Sequence, residues 1–324
     1  MKWMVTVFKE FSNQFASMVV DKEGTIFHTD GAAGLWTLGP KGDYSINKLI
    51  VQRNHNRFLK GIVWNGEGTF YICDTKTNSI LQYHTKTKQF ISLHLTVKKR
   101  NNVGEQKQAT FVRPWSICKD SNGDLYVLDK CSLSKINVQD WTVDTLTTFK
   151  AGEEGVAFYD QEIYVTSQNT HCISKFKDQF GWNGVSGGRL EPGFVDGSFL
   201  TAMFHSPKEL AFTKSGNLLV VDKNGLRMLN FAKQHVSTIY KGKIETCTVS
   251  QEGWIFFVTS SEQLIRLIPS WDIQRCLLIA RLKEEPSECC VACLPLEILR
   301  EICDFVFATA QGDVVTDKTF GYRK

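Results

Sequence analysis

One short pattern returns six times along the chain, and it restricts the possible folds more than any total does. A turn residue, usually Gly, is followed by four or five mostly apolar residues, and Asp or Thr stands six positions after the turn. The copies read GTIFHTD (Gly24 to Asp30), GTFYICD (Gly68 to Asp74), GDLYVLD (Gly123 to Asp129), DQEIYVT (Asp160 to Thr166), GNLLVVD (Gly216 to Asp222) and GWIFFVT (Gly253 to Thr259). A short apolar segment precedes each copy (SMVV, GIVW, WSIC, GVAF, ELAF, TCTV), and another follows it (LWTL, ILQY, SKI, ISKF, LRML, LIRLI). Runs this short, bounded by turn residues, are strands joined by hairpins. Their mean step of about 46 residues is that of a four-stranded propeller blade. The chain is therefore expected to be all-β, a six-bladed β-propeller, because radial repetition leaves only short, protected sheet edges. The recurring Asp is expected to accept backbone hydrogen bonds in the turn that follows it.

The totals agree with a folded globular protein. Of 324 residues, 42% are hydrophobic and 22% charged, and the formal charge of +4 is too mild to argue for nucleic acid by itself. The opening MKWMVTVFKEF alternates apolar and polar residues and lacks the apolar run of a signal peptide. No stretch approaches the roughly 20 apolar residues of a membrane span. The ten cysteines are scattered through apparent strands, so reduced thiols in a cytoplasmic or nuclear, non-secreted protein are expected.

From Gly193 to Arg227 the chain reads GFVDG, then AMFHSP, then GNLLVVD and NGLR, and this run resembles an NHL repeat. A second copy, FVRPWSI followed by GDLYVLD, lies at Phe111–Asp129. The other four blades keep only the turn-and-strand skeleton. The resemblance spans residues 1–281, which are expected to form one propeller domain. The strand WMVTVF at Trp3–Phe8 precedes the first blade. It could close the ring either by pairing with RCLLIAR (Arg275–Arg281) or by replacing it as the outer strand of the last blade.

The resemblance also implies that loops leading from one blade's outer strand to the next blade's inner strand share one face, around the channel mouth. That places Lys98, Lys99, Arg100, Lys107, Arg113 and Trp115 together with Glu153, Glu154, Arg189, Asp196, His205, Lys208, Lys241 and Lys243. Lys98, Lys99, Arg100, Arg113, Trp115, Glu153, His205 and Lys208 are the candidate ligand-binding residues, and a protein or peptide is the expected ligand. A basic groove with an aromatic could also bind RNA through phosphate contacts and stacking. The plainer alternative is a solvated basic loop, with Trp115 packed in the channel or between blades.

Some six-bladed relatives are metal-dependent hydrolases or lyases with inward-facing donors, and His205 is the histidine best placed for such a role, with His55 second. No His pair shows ligand spacing, and no nucleophile elbow, P-loop or dinucleotide fingerprint is present. No cofactor or metal is expected, and a catalytic role is the alternative reading rather than the leading one.

After Arg281 the strand period stops. In LPLEILREICDFVF, Leu294, Ile298, Leu299, Ile302, Phe305 and Val306 recur at helical steps, Pro295 suits the first turn, and Glu297 and Glu301 suit the N-terminal end. Residues 282–324 are thus expected to be a tail with a short amphipathic helix. The stretch resembles the opening helix of an F-box and the elongin-binding helix of a SOCS box. Either resemblance implies a ubiquitin-ligase adaptor as a second partner, and the alternative is a helix packed on the propeller. Cys289, Cys290, Cys293 and Cys303 lack the paired spacing of a zinc site and are expected to be ordinary thiols.

Overall fold

A computed structural model gives the architecture. It describes residues 3–10, 15–39, 46–51, 57–97, 108–149, 152–177, 181–187, 191–261 and 263–269. Lys98, Lys99, Arg100, Lys107, Arg189, His55, the segment 275–281 and the whole tail lie outside these residues.

Six antiparallel sheets form, each of four principal strands. Their inner strands are Ser17–Val20, Leu59–Trp64, Ser116–Lys119, Glu153–Tyr159, Glu209–Phe212 and Ile244–Val249, and each packs beside the inner strand of the next blade. The last packs against the first, so the ring is closed. The second strand of each blade carries the sequence repeat, and its burial is complete or nearly so: all six residues of Thr69–Asp74 and all five of Leu218–Asp222 are buried. A strand flanked by its own sheet and by both neighbouring blades buries both faces. This is why the repeat is continuously apolar rather than alternating.

Closure is settled by the first strand. Trp3–Glu10 pairs antiparallel with Gln263–Pro269 and is the outer strand of the sheet containing Ile244–Val249 and Ile255–Thr259. The two chain segments of the last blade come from opposite ends of the sequence, so no sheet edge is left unpaired at the joint. Blades three and five each gain a short fifth strand, Thr96–Val97 and Gly197–Ser198, against their outer strands. Among the described residues no helix is long and apolar enough to cross a membrane.

The recurring Asp does what its position suggests and more. Asp129 accepts from the amides of Cys131 (2.9 Å) and Ser132 (2.7 Å) in the following turn, while its second oxygen accepts from the Val112 amide at 2.9 Å. Asp222 does the same with Asn224 and, at 2.8 Å, with the His205 amide. Asp74 accepts from the Lys76 and Phe58 amides on one oxygen, Oδ1, at 3.1 Å each. One carboxylate therefore fastens the second-to-third turn of a blade to the segment entering that blade's inner strand. The amide one residue further on donates back to the same entry segment, from Thr75 to Phe58, from Lys130 to Val112 and from Lys223 to His205. In blade four the equivalent bond runs from Gln168 to Gly152. Ser167, not Thr166, is thus that blade's counterpart of the Asp: the strand slips by one residue because Asp160 and Gln161 share the hairpin turn, both at positive φ.

The seam between blades one and six contains a buried titratable group. His28, on the second strand of blade one, is stacked on Phe15 (ring centroids 3.9 Å apart) and lies parallel to Trp36 (6.3 Å). It has no exposed surface, and neither ring nitrogen has a hydrogen-bond partner among the described residues. Burial lowers its pKa from 6.5 to about 4. Between these values the unfolded chain binds more protons than the folded one, so stability falls as pH drops from 6.5 towards 4. The full effect is about 3 kcal/mol. His28→Phe is expected to remove this part of the acid sensitivity, read as denaturant midpoints measured against pH. Equal pH dependence of variant and parent would show that His28 is solvated or paired.

Candidate functional site

The face built by the inner-strand entries and the second-to-third turns collects most of the chemistry. The Phe-x-x-Pro entries of blades three and five are latches. Phe111 and Phe204 are buried, and the next residue's amide binds the Asp of the blade. The third residue, Arg113 or Ser206, adopts positive φ, and the preceding blade's turn catches its amide. Arg113 donates to Asn78 Oδ1 at 2.8 Å and Ser206 to His171 Nδ1 at 3.1 Å. The GFVDG loop that precedes blade five is held from below by Arg227. This guanidinium is fully buried and donates to the carbonyls of Met203 (3.0 Å) and Val195 (2.8 Å) and to Asp196 Oδ1 (2.8 Å). Its charge lies 4.6 Å from the Phe194 ring centroid and 4.9 Å from that of Phe204, and Asp222 stands 3.9 Å away.

At the channel mouth the residue before the tightest inner-strand position is Lys60, Trp115, Glu154, Lys208 and Glu245 in blades two to six. In blades two, four and six it sits in a register irregularity near the strand's start, which re-aims its side chain. Lys208 pairs with Glu245 at 3.3 Å. Glu154 has its pKa raised by burial, while the charges of Lys60 and Lys208 pull it down. One step inward, Gly61 and Gly155 allow close approach of the next blade. A Cβ at Gly61 would stand 2.8 Å from the Trp115 carbonyl oxygen. In the same layer Glu209 ties three blades together: Oε1 accepts from Ser17 Oγ of blade one at 3.2 Å and Oε2 from the Cys247 amide of blade six at 3.1 Å. Burial pushes its pKa up.

The expected residues thus divide. Lys208 and Glu154 meet at the mouth. Glu153 is half-buried, with Oε2 enclosed and unpartnered and its pKa raised by burial. Trp115 is half-buried and packs against the apolar cluster that joins blades three and four, and its indole N–H has no partner among the described residues. Arg113 is exposed on the face. His205 stands at the outer part of the blade four–five junction, its ring edge-on to His171 at 5.8 Å and its Nε2 3.3 Å from Lys223 Nζ. Its side chain meets His171 and Lys223 from the neighbouring turns. Among the described residues no three His, Cys, Asp or Glu side chains come together in an arrangement that could hold a metal ion. The inner-strand carboxylate of Glu209 has both oxygens engaged.

Three features escaped the sequence. Phe58 and Val112, at the position equivalent to His205, are 45% and 47% exposed, so blades two and three each present an apolar side chain on the face. The same face exposes cations in blades two, three, five and six: Lys60, Lys76, Arg113, Lys130, Lys223, Lys241 and Lys243, with the Lys76 ammonium 5.5 Å from the Phe58 ring centroid. The carboxylates of the same face are mostly consumed, Asp74, Asp129 and Asp222 in the turns, Asp196 by Arg227 and Glu245 by Lys208.

No protein-family model matches the chain, and no curated protein matches it. Solved structures do. An auxiliary nutrient binding protein from Bacteroides thetaiotaomicron superposes with a TM-score of 0.66 at 13% identity, over 82% of this chain and 76% of that one. A gluconolactonase from Xanthomonas campestris gives 0.63 at 13%, over 82% and 89%. A catalytically inactive virginiamycin B lyase from Staphylococcus aureus, crystallised with quinupristin, gives 0.56 at 11%, over 83% and 100%. These likenesses establish the propeller fold. They leave function to the site.

Arg227→Lys keeps the charge but cannot span two carbonyls and a carboxylate at once. The expected loss is about 1–3 kcal/mol in chemical denaturation, the cost of leaving a buried carbonyl unpaired. A loss below about 1 kcal/mol would mean that the loop is held elsewhere.

Proposed function

We propose that the protein is a non-catalytic binding platform whose entry face holds a protein or peptide. The observation that carries this reading is the composition of that face: exposed Phe58 and Val112 on a face that also exposes lysines, on a backbone fixed by buried carboxylates. A rigid apolar patch with a charged rim is the anatomy of a protein interface. RNA is less well supported, because Trp115 is packed between blades and Phe58 already carries the Lys76 ammonium 5.5 Å from its ring centroid. A metal-dependent hydrolase or lyase, suggested by the lyase and lactonase among the structural neighbours, lacks a converging donor set among the described residues.

The tail supplies the second contact in this reading. The sequence LPLEILREICDFVF, with Leu294, Pro295, Ile298, Leu299, Ile302 and Phe305 as its contact residues, would dock a ubiquitin-ligase adaptor, which makes the propeller the substrate receptor. The full chain and a chain ending at Arg281 should capture the same face-bound partners from cell extract, with an F-box adaptor or the elongin pair present only for the full chain. Phe58→Asp with Val112→Asp should abolish face-bound capture while changing stability by no more than about 0.5 kcal/mol per site. Capture that survives both substitutions contradicts the face assignment, and an adaptor recovered equally without the tail contradicts the tail assignment.

A further inference from the structure

On the face opposite the entries, the hairpins between first and second strands carry an acid that is matched by a lysine in two blades. In blade three, Asp120 commits Oδ1 to the amides of Asn122 and Asp124, both at 2.9 Å, and turns Oδ2 to the Tyr126 hydroxyl (3.4 Å) and the Lys135 ammonium (3.6 Å). Asp124 holds the same ammonium at 2.9 Å, and it lies 5.5 Å from the Tyr126 ring centroid. In blade four, Lys175 meets both oxygens of Glu162 at 2.8 and 3.0 Å, and Tyr164 donates to that carboxylate at 3.0 Å. Tyr126 and Tyr164 occupy one place on the second strand, and Lys135 and Lys175 are their cross-strand partners on the third. The next blade adds an aromatic neighbour, Phe158 at 5.4 Å from Tyr126 and Phe212 at 5.0 Å from Tyr164. Blades two and five put neutral residues at these places, Asn65 with Gln82 and Thr213 with Met228.

Blade one keeps the acid and the aromatics but lacks the lysine. Asp21 commits Oδ1 to the amides of Glu23 and Thr25, both at 2.9 Å, as Asp120 does. Phe27 stands in the place of Tyr126 without its hydroxyl, and its partner on the third strand is the uncharged Thr37. Among the described residues Asp21 Oδ2 has no hydrogen-bond partner, and no lysine or arginine stands within ion-pair distance of Asp21 or Glu23. A cavity of about 250 Å³ opens here between blades one and two. The buried rings of Phe27, Trp64 and Phe70 wall it, and Asp21, Lys22 and Glu23 border it, two carboxylates against one lysine. Drug-sized ligands fill about 300–1,000 Å³, so a space of this size suits one side chain or a small amine. We propose that this cavity takes an alkylammonium group, the head of a partner's lysine side chain or of a free amine, in the place that Lys135 and Lys175 fill from within blades three and four. Aromatic walls attract a cation, and the open carboxylate oxygen gives it a charge-assisted hydrogen bond. Burial raises the pKa of Asp21, and a bound ammonium would lower it again. The site is separate from the entry face and does not depend on the platform reading.

The test follows the full chain by NMR at matched ionic strength, with butylammonium chloride, N-acetyl-lysine N-methylamide, butanol and sodium chloride as probes. Butylammonium should shift the Trp64 indole N–H resonance in a saturable way and lower the apparent pKa of the Asp21 carboxyl in a pH titration. Butanol and sodium chloride should do neither. Asp21→Asn should weaken butylammonium by about tenfold or more, in line with the loss of a hydrogen bond to a charged group. That variant keeps the turn, because Asn65 Oδ1 accepts the equivalent two amides in blade two at 2.9 and 3.1 Å. Thr37→Lys, which supplies the lysine of blades three and four, should abolish binding. A butanol shift equal to that of butylammonium, or binding indifferent to Asp21→Asn, would overturn the ammonium assignment. Blocked lysine binding at least as tightly as butylammonium would assign the cavity to a partner's side chain. Butylammonium binding about tenfold more tightly than blocked lysine would assign it to a free amine.

Discussion

A buried carboxylate with two jobs organises the propeller. Asp74, Asp129 and Asp222 each satisfy amides in the turn after the second strand, and each reaches sideways to an amide of the segment entering the blade. Without that bond the entry segment would leave a buried backbone donor unpaired, at a cost of about 1–3 kcal/mol per group. Turn and entry therefore move as one unit, and that unit is the upper face of the blade. The residue before the Asp position adds a second tie in blades one and four: Thr166 accepts from the Gly155 amide and donates to the Lys208 carbonyl of the next blade, and Thr29 likewise donates to Lys60.

This constraint shapes the surface chemistry. Using acids inside the turns removes them from the face, while lysines one or two residues after the Asp, at Lys76, Lys130 and Lys223, stay exposed. The result is a rigid, cation-rich face whose apolar patch is displayed by the same residues whose amides are clamped. Phe58 and Val112 offer their N–H inward and their side chains outward. Function on such a face needs little reorganisation, and preorganisation favours affinity because less ordering is required on binding. The closing seam is the contrasting region, since it depends on a neutral His28 and on a strand borrowed from the chain's start.

The fold was legible because the second strand is buried on both faces, so its apolar run and flanking turns are hard to hide. Blade number, strand order and the hydrogen-bonding role of the Asp followed from that run. The one-residue slip in blade four did not, because DQEIYVT and the register actually used, QEIYVTS, differ only in which residues take positive φ. The site was less legible. Arg227 looked like the end of a repeat motif, and only packing shows it sealed between Phe194 and Phe204. Trp115 could have faced the channel or the blade junction, and its neighbours decide for the junction. Exposure of Phe58 depends on where a short entry segment leaves the barrel of inner strands, and composition carries no trace of that. His171 stands far from His205 in sequence, and only the latch of Ser206 brings them together.

The most direct measurement on the carboxylate clamp is amide hydrogen exchange at Val112 and His205 in the wild type, in Asp129→Ala and in Asp222→Ala. If the clamp organises the face, each variant should lose protection at its own entry amide by about tenfold or more, in line with a hydrogen bond to a charged group, while amides of the distant blade one second strand keep theirs. Unchanged exchange at Val112 and His205 would contradict the account, because the entry segments would then be held by something other than the repeated Asp.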